Sequence, residues 1–257
     1  MSKLPEAHKF VDLSDYGRSI ARQIALTLKD TSATPVQVTY SFVVSGITAI
    51  ACIVEGYYFL AAFFLGLKSI LDAADGELAR IKNTPSYTGR YLDSISDILL
   101  NAAILYTIGF ITNTSLYWTV LAFLCIQLQG TLYNYYYVIL RSKLNGDTTS
   151  RIIEIGIPKA LPGEKQSTVT FLYKTYRILY GAFDAIIYKV DPNAEEGSIT
   201  PNWLMTIVST FGLGFQLLLI ALFLIVGLPE YIIPFFIGYT IMIPILIITR
   251  IAVRTEM

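Results

Sequence analysis

Residues 71–101, LDAADGELARIKNTPSYTGRYLDSISDILLN, place four aspartates at the adjoining ends of two apolar segments. In a helix, the first two aspartates share one face with two small residues: Asp72, Asp75, Gly76 and Ala79. The last two share a face with a glycine and an asparagine: Gly89, Asp93, Asp97 and Asn101. A short turn at 83–86 joins the two helices, so the sequence predicts that four carboxylates face one point.

This acidic group is costly in an apolar setting and favours a bound cation. A carboxylate at the centre of a membrane helix costs about 2.5–3.5 kcal/mol. Mg²⁺ and Mn²⁺ prefer oxygen ligands, and two such ions about 3.5–4 Å apart form a phosphoryl-transfer site. A solvated acidic loop is the simpler interpretation, but glycines on the same helix faces favour a site.

The composition indicates a membrane protein. Hydrophobic residues make up 54% of the 257 residues and charged residues 15%, with a mean hydropathy of +0.57. The formal net charge is zero, so no overall field attracts nucleic acid and no nucleic-acid partner is expected. Cys52 and Cys125 lie in apolar segments and are interpreted as small packing residues.

Apolar segments predict an all-α integral membrane domain of six transmembrane helices at 34–257. Thr34 followed by Pro35 is typical of a helix start, because a capping residue precedes proline at the first helical position. The uncharged run 98–140 is too long for one crossing and is divided at 112–115. The predicted crossings lie at 34–54, at about 57–80, on either side of 112–115, near 202–226 and near 231–249.

Two polar regions complete the predicted organisation. Residues 1–33 are expected to form a cytoplasmic or interfacial N-terminal segment with an amphipathic helix. The apolar residues of that helix recur every four positions: Tyr16, Ile20, Ile24 and Leu28. Packing of this helix on the protein itself is the alternative. A cytoplasmic loop is expected at about 141–200, with a second interfacial helix near 170–190.

The distribution of basic residues predicts the orientation. With residue 1 inside, the outer turns fall near 55–56, 113–114 and 227–230, and none of them contains Lys or Arg. All 19 basic residues then lie on the inner side or at inner helix ends, as the positive-inside bias requires. Both termini and the aspartates are therefore expected on the cytoplasmic side, within reach of a cytosolic nucleotide.

A known family carries the same pattern. Asp72-x2-Asp75-Gly76-x2-Ala79-Arg80-x8-Gly89-x3-Asp93-x3-Asp97 resembles the complete signature of the CDP-alcohol phosphotransferase (phosphatidyltransferase) family, without a gap. The resemblance implies a membrane enzyme of phospholipid synthesis that moves a substituted phosphate from a CDP-linked donor to an acceptor alcohol and releases CMP. It also implies that the protein forms a homodimer and that membrane lipids are among its partners.

The resemblance assigns roles to the signature residues. The metal ligands are Asp72, Asp75, Asp93 and Asp97, which hold two divalent cations, Mg²⁺ or Mn²⁺. Asp97 is also the candidate general base. Gly76, Ala79, Arg80 and Gly89 contact the nucleotide, since a residue without a bulky side chain lets a ligand approach the backbone and arginine presents a fork of donors to phosphate.

The donor stays open between two classes. The eukaryotic family members that use CDP-choline or CDP-ethanolamine share a histidine directly after the third aspartate. This chain has Ser94 at that position, so CDP-diacylglycerol is favoured. In the alternative, a CDP-amino alcohol is transferred to a lipid alcohol such as diacylglycerol. A tyrosine cluster favours this alternative if it binds a quaternary amine or a cytosine ring, although it is also typical of an interfacial belt: Tyr133, Tyr135, Tyr136 and Tyr137.

Other interpretations concern the basic residues and the class of protein. Arg141, Lys143 and Arg151 are expected to contact either donor diphosphate or lipid headgroups.

A cation transporter would also carry intramembrane aspartates, but it would need a polar path to the outer face, where the segments lack charge. A structural scaffold leaves the costly carboxylates without a purpose.

Overall fold

The computed structural model describes residues 4–5, 8–144, 156–196 and 199–255, and within these ranges all regular structure is helical. The α-helices in this part of the chain are α1 Arg18–Leu28, α2 Pro35–Val54, α3 Tyr58–Ile81, α4 Tyr87–Ile111, α5 Leu116–Lys143, α6 Gln166–Val190, α7 Asn202–Val208, α8 Leu213–Ile225, α9 Ile232–Tyr239 and α10 Met242–Thr255. The all-α prediction is therefore confirmed for the described residues.

Local sequence signals account for the helix boundaries on the N-terminal side. The Thr34 hydroxyl accepts a hydrogen bond from the Gln37 N–H, and the Gln37 side chain accepts one from the Thr34 N–H, which forms a capping box at the start of α2. Asn113 has a φ of 53° between the end of α4 and the start of α5. Asparagine tolerates this left-handed conformation, so the predicted division of the long apolar run is correct.

Several helices are long and apolar enough to cross a membrane. Among the described residues, α2, α4, α5 and the 229–253 stretch meet this condition, and α7 with α8 adds a fifth if the bent pair is one span. The pair bends by 55° next to Gly212. The remaining predicted crossing, α3, has 24 residues but carries four charges in its second half and Lys68 just before it. These helices indicate an integral membrane protein and support four or five of the six predicted crossings.

The largest apolar core lies at the end of the bundle far from the aspartates. It combines side chains of α2, α3, α4, α5, α8 and α9, including the fully buried Leu65, Ile108 and Phe236. Two buried glutamine side chains in this region form hydrogen bonds with backbone carbonyls. Gln216 donates to the Ile126 carbonyl at 3.1 Å, and Gln129 donates to the Phe236 carbonyl at 3.0 Å.

The N-terminal helix packs on the protein through its small residues. Ala21 and Ala25 are fully buried against Ala74 and Leu78 of α3. In the predicted apolar stripe, Tyr16 and Ile20 are exposed, whereas Ile24 and Leu28 pack against the same cluster. Helix α1 therefore has one face on α3 and a separate apolar edge, and its position in the membrane surface stays a prediction.

The segment before α1 is docked against the C-terminal half of the bundle. The Leu13 N–H donates to the Ser209 hydroxyl at 2.9 Å, and the Tyr133 hydroxyl donates to Asp12 at 2.6 Å. A Cβ atom on Gly214 would lie 1.8 Å from the Ser14 carbonyl oxygen. This close approach requires glycine, because any side chain would displace the segment.

Helix α6 occupies the region predicted to be a cytoplasmic loop. It begins at Gln166, close to the expected position, and buries Val169, Tyr173 and Ile187 against its neighbours. Phe171 and Ile178 on its other face are exposed. The helix thus covers the first half of α4, and its exposed surface mixes apolar residues with Lys174 and Arg177.

Candidate active site

The two aspartate-bearing helices meet through a tight turn. Asn83 adopts a left-handed conformation with a φ of 51° just after α3. Ser86 then caps α4, because its hydroxyl accepts the Gly89 N–H at 2.8 Å. The turn sets α3 and α4 side by side with their charged ends adjoining.

Three of the four aspartates converge. One carboxylate oxygen from each of Asp72, Asp75 and Asp93 lies within 4.8 Å of the other two. Asp75 is buried and its Oδ2 accepts a 2.6 Å hydrogen bond from the Thr39 hydroxyl on α2. Oδ1 of Asp93 is buried and has no hydrogen-bond partner in the part of the chain that the structure describes. Clustered oxygen donors with an unused lone pair fit a hard divalent cation.

The fourth aspartate has a different partner. Asp97 lies one turn beyond Asp93 and forms an ion pair with the Lys68 ammonium. Lys68 is on α3, one turn before Asp72, and its side chain has no exposed surface. The structure therefore places Asp97 outside the group of three, and its roles as metal ligand and base stay predictions. Sequence reasoning missed Lys68, although its i, i+4 spacing to Asp72 was a visible signal.

The predicted phosphate ligand Arg80 belongs to a second charged group. Its guanidinium contacts Oε1 of the buried Glu77 at 3.1 Å, and Arg18 of α1 contacts the same oxygen at 3.2 Å. A Cβ atom on Gly76 would lie 3.5 Å from Nη1 of Arg80. The absence of a side chain at Gly76 thus leaves room beside the guanidinium. Arg18 was not predicted as part of this region.

The other two predicted nucleotide contacts lie at the turn. The Ala79 carbonyl accepts a hydrogen bond from the Thr84 N–H at 3.0 Å, and the Gly89 N–H is held by Ser86. Both residues therefore have local roles in joining the helices. Their contact with a nucleotide stays a prediction.

The tyrosines of the predicted cluster form hydrogen bonds with other residues of the protein, away from the aspartates. The Tyr135 and Tyr136 hydroxyls donate to the backbone carbonyl and side chain of Asp191, at 3.0 and 2.6 Å. A tyrosine of α6 lies nearer to the aspartates, since the Tyr180 hydroxyl donates to the Ser94 carbonyl at 2.8 Å. Its ring stacks on Tyr176 with centroids 4.8 Å apart. This aromatic pair was not predicted.

The predicted basic contacts are only partly described. Arg141 is buried and its guanidinium lies 4.9 Å from the centre of the Tyr137 ring, which is a cation–π arrangement. Lys143 ends α5 and is half-buried. Arg151 lies outside the described residues. None of these contacts distinguishes between diphosphate and lipid headgroups.

A carboxylate from the segment before α6 accepts hydrogen bonds from residues at the start of α4. Glu164 accepts hydrogen bonds from the Thr88 N–H at 2.6 Å, the Ser86 hydroxyl at 2.8 Å and the Leu161 N–H at 3.0 Å. Partial burial acts to raise the pKa of Glu164, but these hydrogen bonds outweigh it and hold the pKa below its usual value. Glu164 thus fastens this segment to the helix that carries Asp93.

Comparisons with known proteins agree with the sequence signature. The profile of the CDP-alcohol phosphatidyltransferase family matches residues 32–190, which include α2–α6 and all four aspartates. The chain is 30% identical over 164 residues to the bifunctional IPC transferase and DIPP synthase of Thermococcus kodakarensis. This alignment covers 63% of the present chain but only 36% of the relative. Because the profile spans more than half of the sequence, the chain belongs to the CDP-alcohol phosphatidyltransferase family.

Proposed function

We propose that this chain is a phospholipid-synthesis transferase embedded in a membrane. It moves a substituted phosphate from a CDP-linked donor to an acceptor alcohol and releases CMP. The observation that carries this proposal is the convergence of the Asp72, Asp75 and Asp93 carboxylates at the junction of α3 and α4. Family membership supports a transferase of substituted phosphate groups.

The proposed topology has six crossings. Helix α3 is counted as one of them, because a 24-residue helix is about 36 Å long and its charges cluster toward the site. The positive-inside bias supports an active site and two termini in the cytoplasm. The exposed Ile20 on α1 supports a position in the membrane surface. A homodimer is proposed on the family resemblance alone.

The carboxylates fit the divalent cations that the family uses, either Mg²⁺ or Mn²⁺, with up to two proposed. Asp72, Asp75 and Asp93 would hold the first ion, and Asp97 would be a ligand of a second ion only. The chemistry that such ions supply when bound is neutralisation of the donor diphosphate and of the charge that develops on departing CMP. Thr39 contributes by fixing one oxygen of Asp75.

The remaining steps fall to side chains of the chain. The oxygen of the acceptor alcohol attacks the phosphorus distal to cytidine, a new P–O bond forms, and the bond to CMP breaks with its electron pair on the CMP oxygen. Asp97 accepts the hydroxyl proton as general base. Arg80 offers its donors to the phosphate oxygens. Because Arg18 also contacts Glu77, that buried carboxylate keeps a cationic partner when Arg80 turns to phosphate.

CDP-diacylglycerol is the favoured donor. Two of the tyrosine rings that supported a choline-type donor already face guanidinium groups, which weakens the case for a quaternary-amine site there: Tyr137 faces Arg141 and Tyr136 faces Arg250. Ser94 in place of histidine supports the same choice. The Thermococcus relative is named for an IPC transferase and a DIPP synthase activity. The donors and acceptors of those two activities are therefore included among the substrates to be tested. A CDP-amino alcohol with diacylglycerol as acceptor is the alternative.

The test is a matrix of substrates. Purified protein in detergent is offered CDP-diacylglycerol, CDP-choline or CDP-ethanolamine with a panel of small alcohols and diacylglycerol, in Mg²⁺ or Mn²⁺. CMP release that requires both a donor and an acceptor, and that a chelator stops, is expected for one pair. Absence of CMP release with every pair would contradict the proposed function.

A further inference from the structure

Lys68 is a buried cation inside the acidic group. Its side chain has no exposed surface, its ammonium is paired with Asp97, and the ring centre of Phe42 lies 5.1 Å from Nζ. A buried ammonium is costly unless it is paired, so its position between α3 and α4 needs a compensating role. The signature pattern begins at Asp72 and does not include this position.

The pairing divides the four carboxylates into two sets. Asp72, Asp75 and Asp93 offer converging oxygens to one point, whereas an oxygen of Asp97 already faces a positive charge. A second divalent ion that used Asp97 would have to displace the ammonium or lie against it. Two like charges a few ångströms apart in a poorly hydrated site repel strongly.

We propose that Lys68 takes the place of the second cation beside Asp97. One divalent ion binds tightly to Asp72, Asp75 and Asp93, and a second binds only in competition with Lys68. Lys68 thereby acts as a positioning residue that holds the Asp97 carboxylate on the α3 side of the site. This inference rests on the metal-dependent site of the proposed function but concerns only how many ions the residues hold.

The test counts bound Mn²⁺ by electron paramagnetic resonance, in which only the free ion gives the sharp aqueous signal. Purified wild-type protein is expected to bind one Mn²⁺ tightly per chain, with any second ion much weaker. Two equally tight ions in the wild type would overturn the proposal. This count requires no variant and no substrate, so it stands apart from the CMP assay.

Two substitutions of Lys68 sharpen the count. Lys68→Met keeps the length of the side chain and removes its charge, and it is expected to tighten the second Mn²⁺ by about tenfold or more. Lys68→Arg keeps the charge and is expected to retain one tight ion. Equal second-ion affinity in wild type and Lys68→Met would overturn the proposal.

A substitution of the partner tests the same point from the other side. Asp97→Asn is expected to leave the affinity of the tight Mn²⁺ within about threefold of the wild type, because that ion uses the other three aspartates. A loss of about tenfold or more would mean that Asp97 binds the first ion, which contradicts the proposal. Failure of the CMP assay with an intact one-ion count would refute the function and leave this inference in place.

Discussion

Two buried acidic regions of this protein are built in opposite ways. Asp191, at the end of α6, is 2% exposed, and its two oxygens are taken by the Tyr136 hydroxyl and the Arg250 guanidinium. Between α3 and α4, three carboxylates converge, and the nearby lysine is paired with the fourth aspartate. Oδ1 of Asp93 has no partner among the described residues.

The difference separates a structural ion pair from a binding site. Around Asp191 each charge has an opposite charge and both carboxylate oxygens accept hydrogen bonds, so the group joins α5, the end of α6 and α10. The aspartate site keeps an excess of negative charge, which opposes folding and favours cations. Substitutions in the two regions should therefore have opposite effects on stability and activity.

Asp93→Asn is expected to have the largest effect, on activity. It removes a charge that neutralises the reaction centre, so CMP release should fall by about 10³-fold or more. The midpoint of thermal unfolding in detergent should stay the same or rise, because one repulsive charge is lost. Near-normal CMP release would show that the converging carboxylates do not carry the reaction.

Asp191→Ala should show the reverse behaviour. Arg250 would be left buried without its carboxylate, at an expected cost of about 3–5 kcal/mol in the free energy of unfolding. The tight Mn²⁺ site should survive in the folded fraction. The double variant Asp191→Ala with Arg250→Met, which removes both charges, is the matched control and should recover much of the stability. Equal losses in the single and double variants would contradict a charge-pair role.

Tyr136→Phe tests the same region with a smaller change. It removes one hydrogen bond to a charged group and keeps the ring, so the free energy of unfolding should fall by about 1.5–3 kcal/mol. CMP release per folded molecule should not change. Tyr135→Phe is the control, because its hydroxyl donates to a backbone carbonyl and not to a charge. A loss of activity in Tyr136→Phe would instead support a substrate role for the cluster.

Glu164→Gln should produce the smallest effect, and only at some pH values. The lowered pKa means that the ionised form stabilises the folded state at neutral pH, and that this contribution is lost as the pH falls through the lowered value. Wild type and variant should differ by about 0.3–1 kcal/mol near neutral pH and converge in acid. Melting curves of both proteins across this range provide the measurement. A difference that grows in acid would reverse the assigned sign.

Much of the fold follows from short-range signals. The starts of α2 and α4, the division at 112–115 and the shared faces of the aspartates depend on capping residues, charge-free length and helical spacing, which lie within a few residues of one another. The convergence of Asp72, Asp75 and Asp93 was therefore predictable.

The missed features depend on contacts between distant residues. The bend at Gly212 is linked to the packing of Ser14 against it, and the tyrosines of α5 are fixed by Asp12 and Asp191. No local pattern identifies such partners. Lys68 is intermediate, since its spacing to Asp72 was visible but its pairing with Asp97 required the crossing of two helices.

The contacts of Leu13 with Ser209 and of Ser14 with Gly214 have a consequence for biosynthesis. The Leu13–Ser209 hydrogen bond joins residues 196 positions apart, so Leu13 is synthesised long before its partner. Before Ser209 is made, the contacts available to this segment include those of Asp12 with Tyr133 on α5 and those of α1 with α3. The docking of residues 13–14 on the region between α7 and α8 is thus delayed in translation until both of those helices have been made.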